Sequence, residues 1–182
     1  MFKRGVFLDR DGVINKSKVI NGKPYSPEST SEVVLIDGVP EAIKLLQRLE
    51  FVIVIVTNQP DISRKKMSVE ISNSINDYIA NKTGIEHFYV CPHDDRDKCL
   101  CRKPQPGLIH EAASKLHINV NKSFLIGDRW RDIQAGQEAG CECFFIDYNY
   151  NEIHPKQPFV KVSSLFEASR IISDGIRKNG HQ

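Results

Sequence analysis

FKRGVFLDRDGVI, residues 2–14, holds a short apolar run that stops abruptly at two carboxylates. Gly5-Val6-Phe7-Leu8 has the length and the β-branched and aromatic character of a buried strand. Asp9-Arg10-Asp11-Gly12 follows at once. In an open α/β sheet, ligands bind outside the carboxyl ends of the strands, which is where Asp9 and Asp11 fall. Asp-Gly is also common in polar β-turns, so this stretch alone leaves a turn and a site both open.

The remainder of the chain decides between them. With 182 residues it can bury one core and is read as a single domain. Residues 15–34 are polar and turn-rich, with room for a small hairpin about Asn21-Gly22, and could cover a pocket beside the carboxylates. Helices are expected from Val39 to about Leu49, from Met67 to about Asn81 with Ser68 as cap, over Gly107–Leu116, over Ile133–Ala139, and from Val162 to about Ile176. Strands are expected over Phe51–Val56, Ile85–Val90, Ser123–Ile126 and Cys143–Ile146. Such alternation predicts a mostly parallel sheet covered on both faces.

Composition narrows the function classes. Lys+Arg number 25 against Asp+Glu 23, and the basic residues form no tail or stripe, so nucleic acid is not expected as the partner. No apolar leader and no 18-residue apolar run stand in the sequence, so a cytoplasmic protein off the membrane is expected. Nothing in the pattern calls for an obligate protein partner. Of five cysteines, Cys91, Cys99 and Cys101 crowd around His93. This Cys-x-His…Cys-x-Cys set suits a tetrahedral, structural Zn²⁺ site better than a disulfide framework, the other reading being an inert thiol cluster. Cys141 and Cys143 read as core residues.

Polar groups follow three of the expected strands: Asp9 and Asp11, then Thr57 and Asn58, then Asp128 and Asp132. Three such endings at one sheet edge are hard to explain as independent turns. Carboxylates gathered there repel unless a cation neutralises them, and oxygen ligands favour Mg²⁺. Arg102, Lys103 and Arg129 add positive charge from neighbouring loops. Mg²⁺ beside a lysine suits a phosphoryl group. No P-loop is present, which disfavours nucleoside triphosphate hydrolysis.

FLDRDGVIN, VIVTNQP, CPHDDRDKCLCRKPQPG and LIGDRWRDIQAG together resemble the four signatures of the haloacid-dehalogenase-like phosphatases. Among these the chain is most similar to the heptose-1,7-bisphosphate 7-phosphatases. The five-residue gap between His93 and Cys99 is also similar to the zinc loop of the histidinol-phosphate phosphatases. The resemblance implies a three-layer, Rossmann-like α/β fold over residues 1–182, with a substrate loop at 15–34 and a zinc-bound loop at 91–101. It implies a sugar phosphatase acting on a small sugar phosphate in surface-glycan (lipopolysaccharide) precursor synthesis. Asp9 would be the nucleophile, Asp11 the acid and base, and Thr57 and Lys103 would hold the phosphoryl oxygens. Mg²⁺ would be held by Asp9, Asp11 through its main-chain carbonyl, and Asp128. Asn58 and Gln59 would contact substrate, and Arg102 would reach its distal part. Arg129 stands where the family carries a lysine. Asp132 reads either as a supporting carboxylate or as an acid favoured at a helix start, and Arg102 and Arg129 either as substrate contacts or as solvated loop charges. A zinc-stabilised sugar-phosphate-binding protein without turnover is the reading of a different class, against which the intact Asp9, Asp11, Lys103 and Asp128 set argues.

Overall fold

The computed structural model describes residues 2–179. The opening stretch forms β1 (Gly5–Leu8), buried along its whole length. A two-stranded hairpin follows, β2 (Lys18–Ile20) and β3 (Lys23–Tyr25), paired antiparallel with Val19 opposite Pro24. Asn21 and Gly22 both have positive φ, 51° and 74°, the conformation a tight two-residue hairpin turn demands.

The chain then alternates: α1 (Val39–Arg48), β4 (Val52–Asn58), a single turn α2 (Pro60–Ser63), α3 (Val69–Thr83), β5 (His87–Cys91) and α4 (Gly107–Leu116). It ends in β6 (Phe124–Gly127), α5 (Trp130–Ala139), β7 (Glu142–Ile146), β8 (Val160–Val162) and α6 (Leu165–Asn179). The six strands of the main sheet run in the order β5-β4-β1-β6-β7-β8, every neighbouring pair parallel. The period-2 alternation of a strand sends successive side chains to opposite faces. Thus Val6 and Leu8 pack with α1, α3 and α6 residues such as Ile43, Ile75 and Ala168. Phe7 packs on the other side with Leu108, Ile109 and Ile133 of α4 and α5. The expected three-layer α/β architecture is what forms.

Two local expectations need correction. Val162 belongs to an edge strand, not to the last helix: Val160, Lys161 and Val162 pair with Phe144, Phe145 and Ile146. The helix begins three residues later because Ser164 Oγ accepts the Glu167 N–H at 3.2 Å, while the Glu167 carboxylate takes the Ser163 N–H at 2.7 Å. That is a capping arrangement, which stops a helix from starting earlier. The turn α2 was also unforeseen, though Pro60 at its start is where proline is tolerated. Ser68 does cap α3, its Oγ accepting the Ile71 N–H at 3.2 Å.

β4, β1 and β6 lie side by side in the middle of the sheet. Their carboxyl ends therefore bring Thr57 and Asn58, Asp9 and Asp11, and Asp128 together. Among the described residues no helix is long and apolar enough to cross a membrane.

Candidate active site

A pocket at this edge is lined by Asp9, Asp11, Thr57, Asn58, Lys103, Arg129, Arg131 and Asp132, with Ser17, Pro24, Tyr25 and Ser26 from the hairpin region. The 15–34 segment thus does cover the strand ends, as its position in the sequence suggested.

Lys103 is at the centre. Its ammonium group donates to Asp9 Oδ1 at 2.9 Å and to the Val56 carbonyl at 2.7 Å, and it pairs with Asp132 Oδ1 at 2.6 Å. Its side chain is only 2% exposed, and burial, the largest influence, favours the neutral amine. The Asp132 and Asp9 charges outweigh it and hold the ammonium charged well above the usual lysine range. The backbone at Lys103 is fixed from β4: Asn58 Nδ2 donates to the Lys103 carbonyl at 3.0 Å, and the Lys103 N–H donates to Asn58 Oδ1 at 3.1 Å. Asn58 therefore engages both ends of its amide in placing Lys103. Gln59 similarly donates through Nε2 to Asp11 Oδ2 and Thr57 Oγ1, each at 2.9 Å.

Asp132 stands both beside the carboxylate cluster and in the first turn of a helix. Besides meeting Lys103 it accepts the Arg129 N–H at 2.9 Å through Oδ2, satisfying one of the free donors at the start of α5. Gly127 permits this approach, since a Cβ there would lie 2.2 Å from Asp132 Cβ. Gly12 is needed for two reasons: its φ is +91°, and a Cβ would come within 1.9 Å of Asp128 Oδ2.

Asp11 is held differently from Asp9. Its oxygens accept from Arg10 Nη2 at 3.0 Å, Asn15 Nδ2 at 2.8 Å and Ser26 Oγ at 2.8 Å, in addition to Gln59. Burial alone would raise its pKa, but the Arg10 charge and these bonds bring it below the ordinary carboxylate value. Arg10 is fully buried, its other arm donating to Asn76 Oδ1 of α3 at 3.0 Å. The sequence reading gave Arg10 no role; the signal available was a cation lying between two site carboxylates.

Asp9, Asp128 and Asp132 offer oxygens that all lie within 4.8 Å of one another. Burial, more than the neighbouring carboxylates, pushes Asp9 up to about 6 against the pull of Lys103. Asp128 is also raised well above the ordinary carboxylate value, by burial first and then by the charges of Asp9 and Asp132. Both Asp128 oxygens are buried without a hydrogen-bond partner. Tyr150 is close enough to interact with them yet makes no bond of normal geometry. A buried carboxylate with no donor is costly, and the oxygen-only set around it suits a hard divalent cation such as Mg²⁺. The residues fit the ion.

The cysteine–histidine loop converges as well. Cys91 Sγ stands 3.7 Å from Cys99 Sγ and 3.1 Å from Cys101 Sγ, and His93 Nδ1 stands 3.3 Å from Cys101 Sγ. All five cysteines are free thiols. A tetrahedral centre with bonds of about 2.3 Å has sulfur–sulfur edges of roughly 3.8 Å; the Cys91–Cys99 edge matches this, the two Cys101 edges are shorter at 3.1 and 3.4 Å, and the four ligand atoms lie close enough together to share a metal ion. Cys141 and Cys143 are core residues as expected, and burial pushes both thiols up to about 12. Asp94 is half-buried and Asp95 and Asp97 are exposed, but none is idle. Asp94 pairs with Arg64 at 2.7 Å, Asp97 accepts the Asp94 N–H at 2.7 Å, and Asp95 pairs with Arg102 at 2.8 Å. Arg102 sits in a cleft next to the main pocket, and Arg129 borders the pocket while clamped by Glu152.

The comparisons with known proteins agree with this geometry. A HAD-hydrolase-like family model matches residues 100–153. The chain is 32% identical over 179 residues to D-glycero-alpha-D-manno-heptose-1,7-bisphosphate 7-phosphatase of Photorhabdus laumondii, covering 91% of this chain and 94% of that one. It is 36% identical over 152 residues to D-glycero-beta-D-manno-heptose-1,7-bisphosphate 7-phosphatase of Vibrio cholerae, covering 77% and 78%. The structure of D,D-heptose 1,7-bisphosphate phosphatase from B. bronchiseptica, complexed with magnesium and phosphate, matches with a TM-score of 0.82 at 24% identity, covering 94% of this chain and 99% of that one.

The carboxylate cluster generates a pH-dependent prediction. The folded pKa of Asp9, about 6, lies above its ordinary value of 3.8, and Asp128 is shifted the same way. Their contribution to the stability of the metal-free fold is therefore full at low pH and is lost as pH rises through about 6. Mg²⁺ binds the ionised forms and reverses that loss. Thermal unfolding with and without Mg²⁺ should show a clearly larger stabilisation at about pH 7.5 than at about pH 5; a Mg²⁺ effect equal at both would contradict the site.

Proposed function

Because the chain belongs to the heptose-1,7-bisphosphate 7-phosphatase family of haloacid-dehalogenase-like hydrolases, we propose that it hydrolyses the 7-phosphate of D-glycero-D-manno-heptose 1,7-bisphosphate. The observation that carries the reading is the central carboxylate: Asp9, at the tip of the middle strand, is gripped by the buried Lys103 and faces the unpartnered Asp128.

Asp9 is the nucleophile. One of its oxygens attacks phosphorus, the bond from phosphorus to the sugar oxygen breaks, and the leaving oxygen takes a proton from Asp11. Asp11 is held ionised by Arg10 and its other donors in the free protein; a phosphoryl dianion arriving beside it raises its proton affinity, so that Asp11 takes up a proton from solvent as the substrate binds and becomes the acid. In the second half Asp11 takes the proton back from water, whose oxygen attacks the phosphorus of the aspartyl-phosphate. The bond to Asp9 then breaks and inorganic phosphate leaves.

Lys103 and Thr57 bind the transferring oxygens. Asn58 keeps Lys103 in place through its backbone, and Gln59 joins Thr57 to Asp11. Asp9, Asp128 and the Asp11 carbonyl hold Mg²⁺, which when bound offsets the negative charge of the phosphoryl group. Asp132 supports the cluster by fixing Lys103. Cys91, His93, Cys99 and Cys101 would hold a structural Zn²⁺, which when bound would brace the loop leading directly into Arg102 and Lys103.

Turnover tests the assignment. Asp9→Asn should cut hydrolysis by on the order of 10³-fold or more, while the fold persists, because the change removes a carboxylate that burial already disfavours. Near-normal steady-state rates under metal-controlled conditions would overturn the nucleophile. Wild-type protein assayed on both heptose bisphosphate anomers and on histidinol phosphate should prefer a heptose bisphosphate.

Zinc is checked separately. Protein purified under reducing, chelator-free conditions should contain about one zinc per chain by elemental analysis, and Cys99→Ser should lower that content. Zinc-free wild-type protein would contradict the site.

A further inference from the structure

The mechanism above leaves Arg131 without a task. It lies in the first turn of α5 and lines the central pocket beside Asp9 and Thr57. It also lines the adjoining cleft, where Arg102 and the exposed edge of the cysteine–histidine loop meet. Its guanidinium carbon sits over the Trp130 ring at 4.7 Å, a cation–π contact that favours this placement.

One carboxylate joins the two arginines. Asp95 Oδ1 accepts from Arg102 Nε at 2.8 Å and from Arg131 Nη1 at 3.2 Å, while Asp95 Oδ2 faces Arg131 Nη2 at 3.4 Å. Asp95 is a poor permanent partner. Its side chain is 53% exposed, and one of its oxygens is shared between two cations. Exposed ion pairs of this kind contribute little. Arg102 is meanwhile left with Nη1 buried and unpartnered. Burial, with the like charges of Arg102 and Arg129, lowers the Arg131 pKa, which registers the crowding of cations at this mouth. Arg129 is committed elsewhere, since Glu152 engages it through both Nε and Nη2.

We propose that Arg131 adds a second guanidinium to the distal contact that the resemblance already assigns to Arg102, completing a subsite for the second phosphate, and that Asp95 is an internal counter-ion occupying it until the phosphate displaces it. A phosphate monoester brings close to twice the charge of a carboxylate and three acceptor oxygens. It can accept a fork from each guanidinium and also satisfy the orphaned Arg102 nitrogen. The subsite lies beside the transferring phosphate because Arg131 lines both cavities. This rests on the bisphosphatase reading, and makes Arg131 a specificity-determining residue that the sequence resemblance did not supply.

Binding in the Asp9→Asn background tests it without requiring turnover. Calorimetry compares heptose 1,7-bisphosphate with heptose 7-phosphate, and fructose 1,6-bisphosphate with fructose 6-phosphate. The site should prefer each bisphosphate. Adding Arg131→Gln should reduce that preference by about tenfold or more, and Arg131→Lys, which keeps the charge but loses the fork, should give a smaller reduction. Adding Asp95→Asn should instead tighten bisphosphate binding by about threefold, because a competitor is gone. A strut that merely holds the arginines in place would give the opposite sign. Equal losses on mono- and bisphosphates for Arg131→Gln, weaker bisphosphate binding for Asp95→Asn, or no preference before either change would each overturn the proposal. Failure of wild-type protein to hydrolyse heptose bisphosphate would instead overturn the proposed function, while the binding ratios still decide the subsite.

Discussion

A lysine ammonium closed off from solvent between Asp9, Asp132 and the Val56 carbonyl is the constraint on which the site depends. Removing such a cation from water costs several kcal/mol unless its partners are well placed. Here three acceptors lie within 2.9 Å of its nitrogen, and two of them carry charge. Lys103 nevertheless leaves the cluster short of cations. Asp9, Asp128 and Asp132 share one ammonium, and the deficit appears at Asp128, whose oxygens accept no hydrogen bond of normal geometry. The same arrangement thus orients the Asp9 carboxylate and leaves an excess of negative charge that a divalent ion would offset.

The fold supplies each member from a different direction. β1 delivers Asp9, β6 delivers Asp128, and the first turn of α5 delivers Asp132. Lys103 comes from a loop, the least rigid source, and two devices compensate. Asn58 fastens its backbone to β4 through two hydrogen bonds. Cys101 lies two residues upstream, within a Cys/His cluster whose ligand atoms could hold a metal ion. Gly107 shows how tightly this loop is laid down: a Cβ there would lie 2.1 Å from the Leu100 carbonyl oxygen. The loop also carries Asp95 and Arg102, so one segment serves both the transferring phosphate and the region beyond it.

Much of this was legible in the sequence because it is encoded locally. The α4 helix has the expected bounds, Gly107–Leu116, and the Asn21-Gly22 turn formed where its chemistry requires. The carboxylates could be placed because apolar runs ending in polar residues mark strand ends. What was missed depends on contacts between distant segments or on very short elements. Val160–Val162 is a three-residue edge strand, too short for its alternation to register beside the strong periodicity of α6. Arg10 is a charged residue in a fully buried position, acceptable only because Asn76 and Asp11 meet it there. Arg131 finds Asp95 across 36 positions of sequence, and nothing in either stretch announces the other.

The proposed chemistry depends on Asp9, and not the neighbouring Asp11, Asp128 or Asp132, taking the phosphoryl group. Rapid acid quenching of a single turnover of heptose 1,7-bisphosphate, followed by mass spectrometric mapping, addresses it directly. The phosphoryl group should be found on the peptide holding residues 9–11 and localised to Asp9, with Asp11, Asp128 and Asp132 unmodified. A full turnover with no phosphorylated protein at any quench time, or a phosphoryl group on Asp128 or Asp11, would contradict the account.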